Sequence, residues 1–191
     1  MRNEPPDSRL GTGAGGACPR CVFVTGPRGA GKTRWLQRRI RERVESRPDA
    51  RIAVVLAEEG RTRMEAFVRE VPGVSVRRLL LPCTCCLALA DLPGTLRETV
   101  EAVRPGWLFL EVPALVAAGL VAEFDRVLGW PREVAVCLDA GWGAALRDDS
   151  MSPFETAIIG LADCVVPSRP QGERLRADTG AHSPTISDDP A

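Results

Sequence analysis

Eight consecutive residues, Gly26-Pro27-Arg28-Gly29-Ala30-Gly31-Lys32-Thr33, constrain this chain more than anything else in it. They fit the pattern G-x-x-x-x-G-K-[ST]. Before them stands a short apolar β-type run, Cys21-Val22-Phe23-Val24-Thr25. After them, Thr33 to Ser46 reads as a helix with Trp35, Leu36, Ile40 and Val44 on one stripe. Strand, glycine loop and helix in this order let backbone N–H groups curl around phosphate groups. Lys32 is the only lysine among twenty-five basic side chains. An ammonium is a compact charge on a flexible stem that reaches between two phosphates, whereas a guanidinium is a broad planar fork. Thr33 offers a hydroxyl to magnesium. A nucleoside triphosphate is therefore expected here, held by Gly26, Gly29, Ala30, Gly31, Lys32, Thr33 and Arg34.

A length of 191 residues accommodates one α/β domain with a substantial core, not two comfortable ones. The formal net charge is zero but unevenly spread. Residues 1–104 carry nineteen basic and twelve acidic groups, and the remainder six and thirteen. Much of the positive excess lies just after the glycine loop, at Arg34, Arg38, Arg39, Arg41, Arg43 and Arg47. Glu42 and Glu45 interrupt it and no aromatic-basic interleaving pattern accompanies it, so it reads as a solvated helix face and not a nucleic-acid surface. No stretch approaches the roughly 18 apolar residues of a membrane span. The N-terminus lacks the apolar core of a signal peptide. Together with the glycine loop this points to the cytoplasm, where the seven cysteines are expected as thiols or metal ligands, not disulfides.

Residues 1–17 and 168–191 are rich in Gly, Pro and small polar residues and read as a disordered leader and tail around a domain at 18–167. Within the domain, strand-like runs at 21–26, 51–57, 74–81, 107–111, 133–138 and 164–167 alternate with helical stretches. The helices fall at 32–46, about 61–71, about 87–103, 114–128 and 153–162, with Pro93 a second position at which the third could begin. Strict alternation predicts a doubly wound, mostly parallel sheet with helices on both faces. In such a sheet the chemistry gathers at the carboxyl ends of the strands. That rule nominates the glycine loop, the 57–62 loop, Pro82 to Cys86, Glu111 to Ala114, Asp139 to Gly143 and Pro167 to Pro170.

Cys83-Thr84-Cys85-Cys86 follows the third strand, and three thiols in four residues read as ligands for zinc or a similar soft ion. Cys18-Pro19-Arg20-Cys21 has C-x-x-C spacing, but it belongs to the amino end of its strand. A five-residue strand is about 17 Å long, so the two clusters belong to opposite edges, and Cys18 with Cys21 would form at most a separate site. Cys137 and Cys164 lie inside strands and read as core. Glu111 ends an apolar strand where magnesium or its water would be held, and Asp139 ends another. Either acid also reads as a helix cap or loop acid. Glu58 and Glu59 follow the second strand.

Taken together, the glycine loop, Ile52-Ala53-Val54-Val55-Leu56 with Glu59-Gly60 behind it, C-x-C-C and a strand ending in Glu111 resemble the CobW group of P-loop GTPases, related to the HypB and UreG metallochaperones. The resemblance covers roughly residues 21–166. It implies that Cys83, Cys85 and Cys86 bind zinc or another divalent metal, that Lys32 and Thr33 serve phosphate and magnesium, and that Glu59 is a switch glutamate. Asp139-Ala140 and Ala162-Asp163 also match family positions. Three departures stand beside these matches. Where the family reads Asn-Lys-x-Asp, whose aspartate selects guanine, this chain reads Pro167-Ser168-Arg169-Pro170. Its Glu-x-x-Gly switch is Glu111-Val112-Pro113-Ala114 here, and Pro113 stiffens the loop, which predicts slow hydrolysis. The family's C-terminal domain is expected to be missing.

The resemblance implies a GTP- or ATP-binding protein that couples nucleotide state to a metal destined for a client metalloprotein, with Lys32, Glu59 and Glu111 as its working residues. Homodimerisation across the nucleotide face would accompany it. Two other readings are a non-hydrolysing accessory subunit and a small-molecule kinase. The kinase lacks support from any arginine-rich lid or acceptor-activating acid.

Overall fold

The computed structural model describes residues 18–57, 64–79 and 87–167, and of residues 87–91 the backbone only. Six strands and six helices follow one another: β1 Arg20–Thr25, α1 Lys32–Ser46, β2 Ile52–Leu56, α2 Met64–Glu70, β3 Val74–Arg78, α3 Leu87–Val103, β4 Trp107–Glu111, α4 Ala114–Val127, β5 Arg132–Cys137, α5 Ala140–Arg147, α6 Pro153–Ile159 and β6 Cys164–Val166. All pairings are parallel, in the order β3-β2-β4-β1-β5-β6.

That order dictates which face each helix covers. The connections from β1 to β2 and from β2 to β3 run toward one edge, and all later ones run back toward the other. Right-handed crossovers therefore place α1 and α2 on one face and the later helices on the opposite one. The cores follow this division. Leu36 and Ile40 of α1 and Met64 and Phe67 of α2 pack on Val22, Val24, Val54, Phe109 and Cys137. Leu96 of α3, Leu120 and Phe124 of α4 and Ile158 of α6 pack on Phe23, Val55, Leu110 and Val136. Successive residues of β1 and β4 thus serve opposite cores, as the two-residue period of a strand requires. The near-continuous apolar runs of these strands are what a sheet buried on both faces needs.

One element differs from the sequence expectation. The residues from Asp139 onward form the helix α5 instead of an open loop. None of its residues is buried, so it has no apolar stripe to betray it. Helix α3 has the expected span and runs through Pro93, so the alternative start at that proline is not taken. Leu92 and Leu96 are both fully buried, and their packing holds the turns on either side of a proline that withholds only one backbone hydrogen bond.

The arginines of α1 have local partners. Glu42 pairs with Arg38 and Arg39. Arg39 stacks on Trp35, Arg41 on Phe67 and Arg43 on Trp107.

Strand β1 lies between β4 and β5, neither of which is its neighbour in sequence. The chain leaves β1 toward one edge and crosses it later toward the other, so the crevice beyond its carboxyl end is the switch point where α/β sheets bind ligands. The glycine loop begins there.

Candidate functional site

The loop leaves β1 at Gly26, which is buried with φ 132°. A Cβ at this position would stand 2.0 Å from the carbonyl oxygen of Cys137, at the end of β5. Only glycine lets the chain turn this close to the neighbouring strand. Gly29 and Gly31 also have positive φ, 86° and 87°, in open space. The Ala30 N–H donates to the Pro27 carbonyl at 3.2 Å and closes the turn between them. Gly31 occupies the N-cap of α1, where it supplies no side-chain cap, and no acidic residue lies in the first turn. The helix start therefore presents its N–H groups and the positive end of its dipole without local compensation, an arrangement suited to an anion.

Lys32 opens α1 and is 5% exposed. Its Nζ donates to the carbonyls of Gly26 at 3.0 Å and Pro27 at 3.1 Å, so the ammonium lies across the loop and not in solvent. Thr33 follows. Its hydroxyl donates to Glu111 Oε1 at 2.7 Å and lies 3.0 Å from Oε2. Register explains this meeting of residues far apart in sequence. Val24 lies opposite Glu111 in the β1–β4 ladder, and Glu111 shares the strand face of Phe109, the face α1 covers. The Glu111 carboxylate is only 4% exposed. A buried carboxylate against a threonine hydroxyl, at the mouth of a cradle of N–H groups, is a hard-oxygen donor set of the kind magnesium takes.

Beyond Glu111 the chain has little slack. Val112 is buried, and its N–H donates to the Val24 carbonyl at 3.0 Å. Pro113 has φ −63° and ψ 141°, and α4 begins at Ala114. The connection is thus two residues long, with one tied to β1 and the other fixed by its ring. Sequence reading identified Pro113, but no local signal announced the tether at Val112 or the carbonyl of Cys137 behind Gly26.

Asp139 is the N-cap of α5, its Oδ1 accepting the Trp142 N–H at 2.8 Å. It does not meet Thr33 as Glu111 does. Asp139→Ala is expected to lower the unfolding free energy by about 1 kcal/mol, the usual worth of such a cap, measured by urea denaturation. Arg34 is exposed on the first turn of α1. Glu58, Glu59, Arg61, Cys83, Cys85, Cys86 and the segment Ser168-Arg169-Pro170 lie outside the described residues.

Of the other cysteines, Cys18 is exposed while Cys21 is buried in the core on the α4 face. The Cys21 thiol donates to the Pro19 carbonyl at 3.6 Å, and burial pushes its pKa up to about 12, with a smaller contribution from Cys18. The C-x-x-C spacing therefore does not present two accessible thiolates together. Cys137 is core as well, its pKa also pushed up to about 12, chiefly by burial. Among the described residues no three His, Cys, Asp or Glu side chains gather as a metal site, and no helix there is long and apolar enough to cross a membrane.

Solved structures share this architecture. The hydrogenase maturation factor HypB from Archaeoglobus fulgidus superposes with a TM-score of 0.54 at 19% identity, over 78% of this chain and 65% of that one. The signal recognition particle receptor FtsY from Elizabethkingia anophelis, solved in complex with GDP, gives 0.56 at 12% identity, over 85% of this chain and 51% of that one. A second FtsY structure from the same organism gives 0.52 at 13% identity. This chain thus spans about half to two thirds of the length of these neighbours, and at such identities they share its fold. Comparison with curated proteins finds no match. The family model for the CobW/HypB/UreG nucleotide-binding domain matches residues 20–137, from the start of β1 to the end of β5 and so across the whole glycine loop and Glu111. This chain belongs to the CobW/HypB/UreG family of nucleotide-binding domains.

Proposed function

We propose that the chain binds a magnesium–nucleoside triphosphate at the glycine loop and couples its nucleotide state to a divalent metal carried by Cys83, Cys85 and Cys86. The observation that carries the nucleotide half is the Thr33–Glu111 contact beside Lys32. In this reading the backbone N–H groups from Gly29 to Thr33 and the Lys32 ammonium hold the β and γ phosphates. The Thr33 hydroxyl and the Glu111 carboxylate would hold magnesium, Glu111 directly or through water. Glu111, and not Asp139, takes that part because it is Glu111 that touches Thr33. When bound, magnesium would supply neutralisation of charge on the phosphates. Glu59 is the side chain proposed to orient the attacking water.

Hydrolysis is slow in this account. The tether from Val112 to Val24 and the ring of Pro113 restrain the connection that must move around a γ-phosphate. Turnover on the order of 10⁻³ s⁻¹ or below is expected, the scale of a phosphate-loop site without an added arginine. Base selection is weak. The segment from Pro167 to Pro170 has no carboxylate, and only a site built to hydrogen-bond a substrate strongly rejects its analogue. GTP and ATP are expected to bind within about tenfold of each other, with GTP the physiological ligand by family.

The metal half rests on the sequence C-x-C-C and on family membership. Linkage makes it testable, since zinc must change nucleotide affinity by the factor by which nucleotide changes zinc affinity. Titrations of zinc with and without GTP, repeated on Cys83→Ser, are expected to give equal factors of about 5- to 150-fold, absent in the variant. Zinc and nucleotide binding independently would refute the coupling. The client would then be an apoprotein that receives the metal, and a homodimer across the nucleotide face is the proposed assembly.

A further inference from the structure

Thr25 ends β1 immediately before the glycine loop and is completely buried. Its hydroxyl has no hydrogen-bond partner among the described residues. A hydroxyl taken out of water without a partner is costly, which is why such groups are rare. A valine would fill this space without that cost. The alternation of β1 locates the group. Phe23, two residues earlier, packs edge-on against Phe124 of α4 with ring centroids 5.1 Å apart, so Thr25 faces α4 as well. Across the sheet it pairs with Val136, and the next rung on its other side is Val112, whose N–H is bound to the Val24 carbonyl. The start of α4 lies on this same face. It has Pro113 at its N-cap and no side-chain cap, so the N–H groups of its first turn lack a side-chain acceptor.

A buried hydroxyl without a partner among the described residues and a helix start without a side-chain cap thus belong to one face of the sheet, at the carboxyl ends of adjacent strands. We infer that Thr25 is a positioning residue for the triphosphate-loaded form, in which the β4–α4 connection moves against β1 and gives the Thr25 hydroxyl a hydrogen-bond partner. This rests on the proposed nucleotide site. The hydroxyl burdens one arrangement and stabilises the other, and a group that interacts differently with two states shifts the balance between them. The gain is assigned to the triphosphate, whose additional phosphate would face the uncapped N–H groups at the start of α4.

The test is nucleotide titration of the wild type, Thr25→Val, Thr25→Ser and Lys32→Ala, with GTP and GDP, alongside thermal melts without nucleotide. Thr25→Val keeps the shape and removes the hydroxyl. It is expected to melt at or above the wild-type temperature and to bind GTP about five- to thirtyfold more weakly, the worth of one buried hydrogen bond. GDP affinity is expected to change less than threefold, and Thr25→Ser to bind GTP as the wild type does. A merely space-filling threonine would leave the GTP-to-GDP affinity ratio unchanged in Thr25→Val, and that result overturns the inference. Equal weakening for both nucleotides overturns it too. Should Thr25→Val fail to fold, Thr25→Ala, which also removes the hydroxyl, takes its place: a GTP-to-GDP ratio reduced relative to Thr25→Ser supports the inference and an equal ratio contradicts it. Failure of the wild type itself to bind nucleotide better than Lys32→Ala would instead remove the underlying site, and this inference with it.

Discussion

Gly26→Ala is expected to cost at least about 4 kcal/mol of folding stability, more than most single substitutions. The new Cβ would lie 2.0 Å from the Cys137 carbonyl oxygen, and the backbone would have to hold φ 132° with a side chain attached. Neither side can yield cheaply. Strand β5 is held by β1 on one side and β6 on the other, and Leu138 continues the tie through its N–H to Val166. Gly29 and Gly31 provide the contrast. Their φ values of 86° and 87° are also left-handed, but a Cβ at either meets nothing within 4 Å. Gly29→Ala and Gly31→Ala are therefore expected to cost about 1–2 kcal/mol each, the strain of the left-handed region alone. Urea unfolding of the three variants measures the difference. Equal costs at all three positions would mean that the loop does not press on β5.

Lys32→Ala is expected to weaken triphosphate binding at least about a hundredfold, since charge-assisted hydrogen bonds to phosphate would be the strongest single contacts the proposed site offers. The buried ammonium already lies across the loop on the carbonyls of Gly26 and Pro27, so little reorganisation is needed to meet an incoming phosphate. Lys32→Arg is expected to restore little of this. A broad planar fork does not fit as the compact ammonium does at a site that is 5% exposed. Titration with a fluorescent nucleotide, at protein concentrations corrected for the folded fraction, checks both. An Arg variant within threefold of the wild type would show that charge alone matters there.

The parts of this fold that could be read from sequence are those written in contiguous residues. The motif Gly26 to Thr33, the apolar strands and the stripe of α1 are local patterns, and strict alternation then requires a parallel sheet. Glu111 was legible as a site acid because it ends a strand. Its contact with Thr33 needed the strand order, which places β4 beside β1. What could not be read depends on distant backbone or on helices without a buried face. The carbonyl of Cys137 lies more than a hundred residues from Gly26, and the tether at Val112 is made by a backbone N–H that any residue but proline carries. Helix α5 contains two glycines and fully buries no residue, Trp142 only packing part-buried against the core, so no periodicity marks it. In the sequence Asp139 reads both as a magnesium acid and as a cap, and its hydrogen bond from the Trp142 N–H answers to the second. The three thiols of Cys83, Cys85 and Cys86 lie outside the described residues, and the metal reading still rests on their spacing.

The magnesium dependence of triphosphate binding tests the central claim most directly. GTP affinity is to be measured by calorimetry with magnesium and with magnesium chelated, for the wild type, Thr33→Val and Glu111→Gln. The wild type should bind at least about tenfold more tightly with magnesium, one step of 1.4 kcal/mol. Both variants should lose most of that factor while keeping the residual affinity supplied by Lys32 and the loop N–H groups. A wild-type affinity indifferent to magnesium, or variants that retain the full magnesium effect, would contradict the assignment of Thr33 and Glu111.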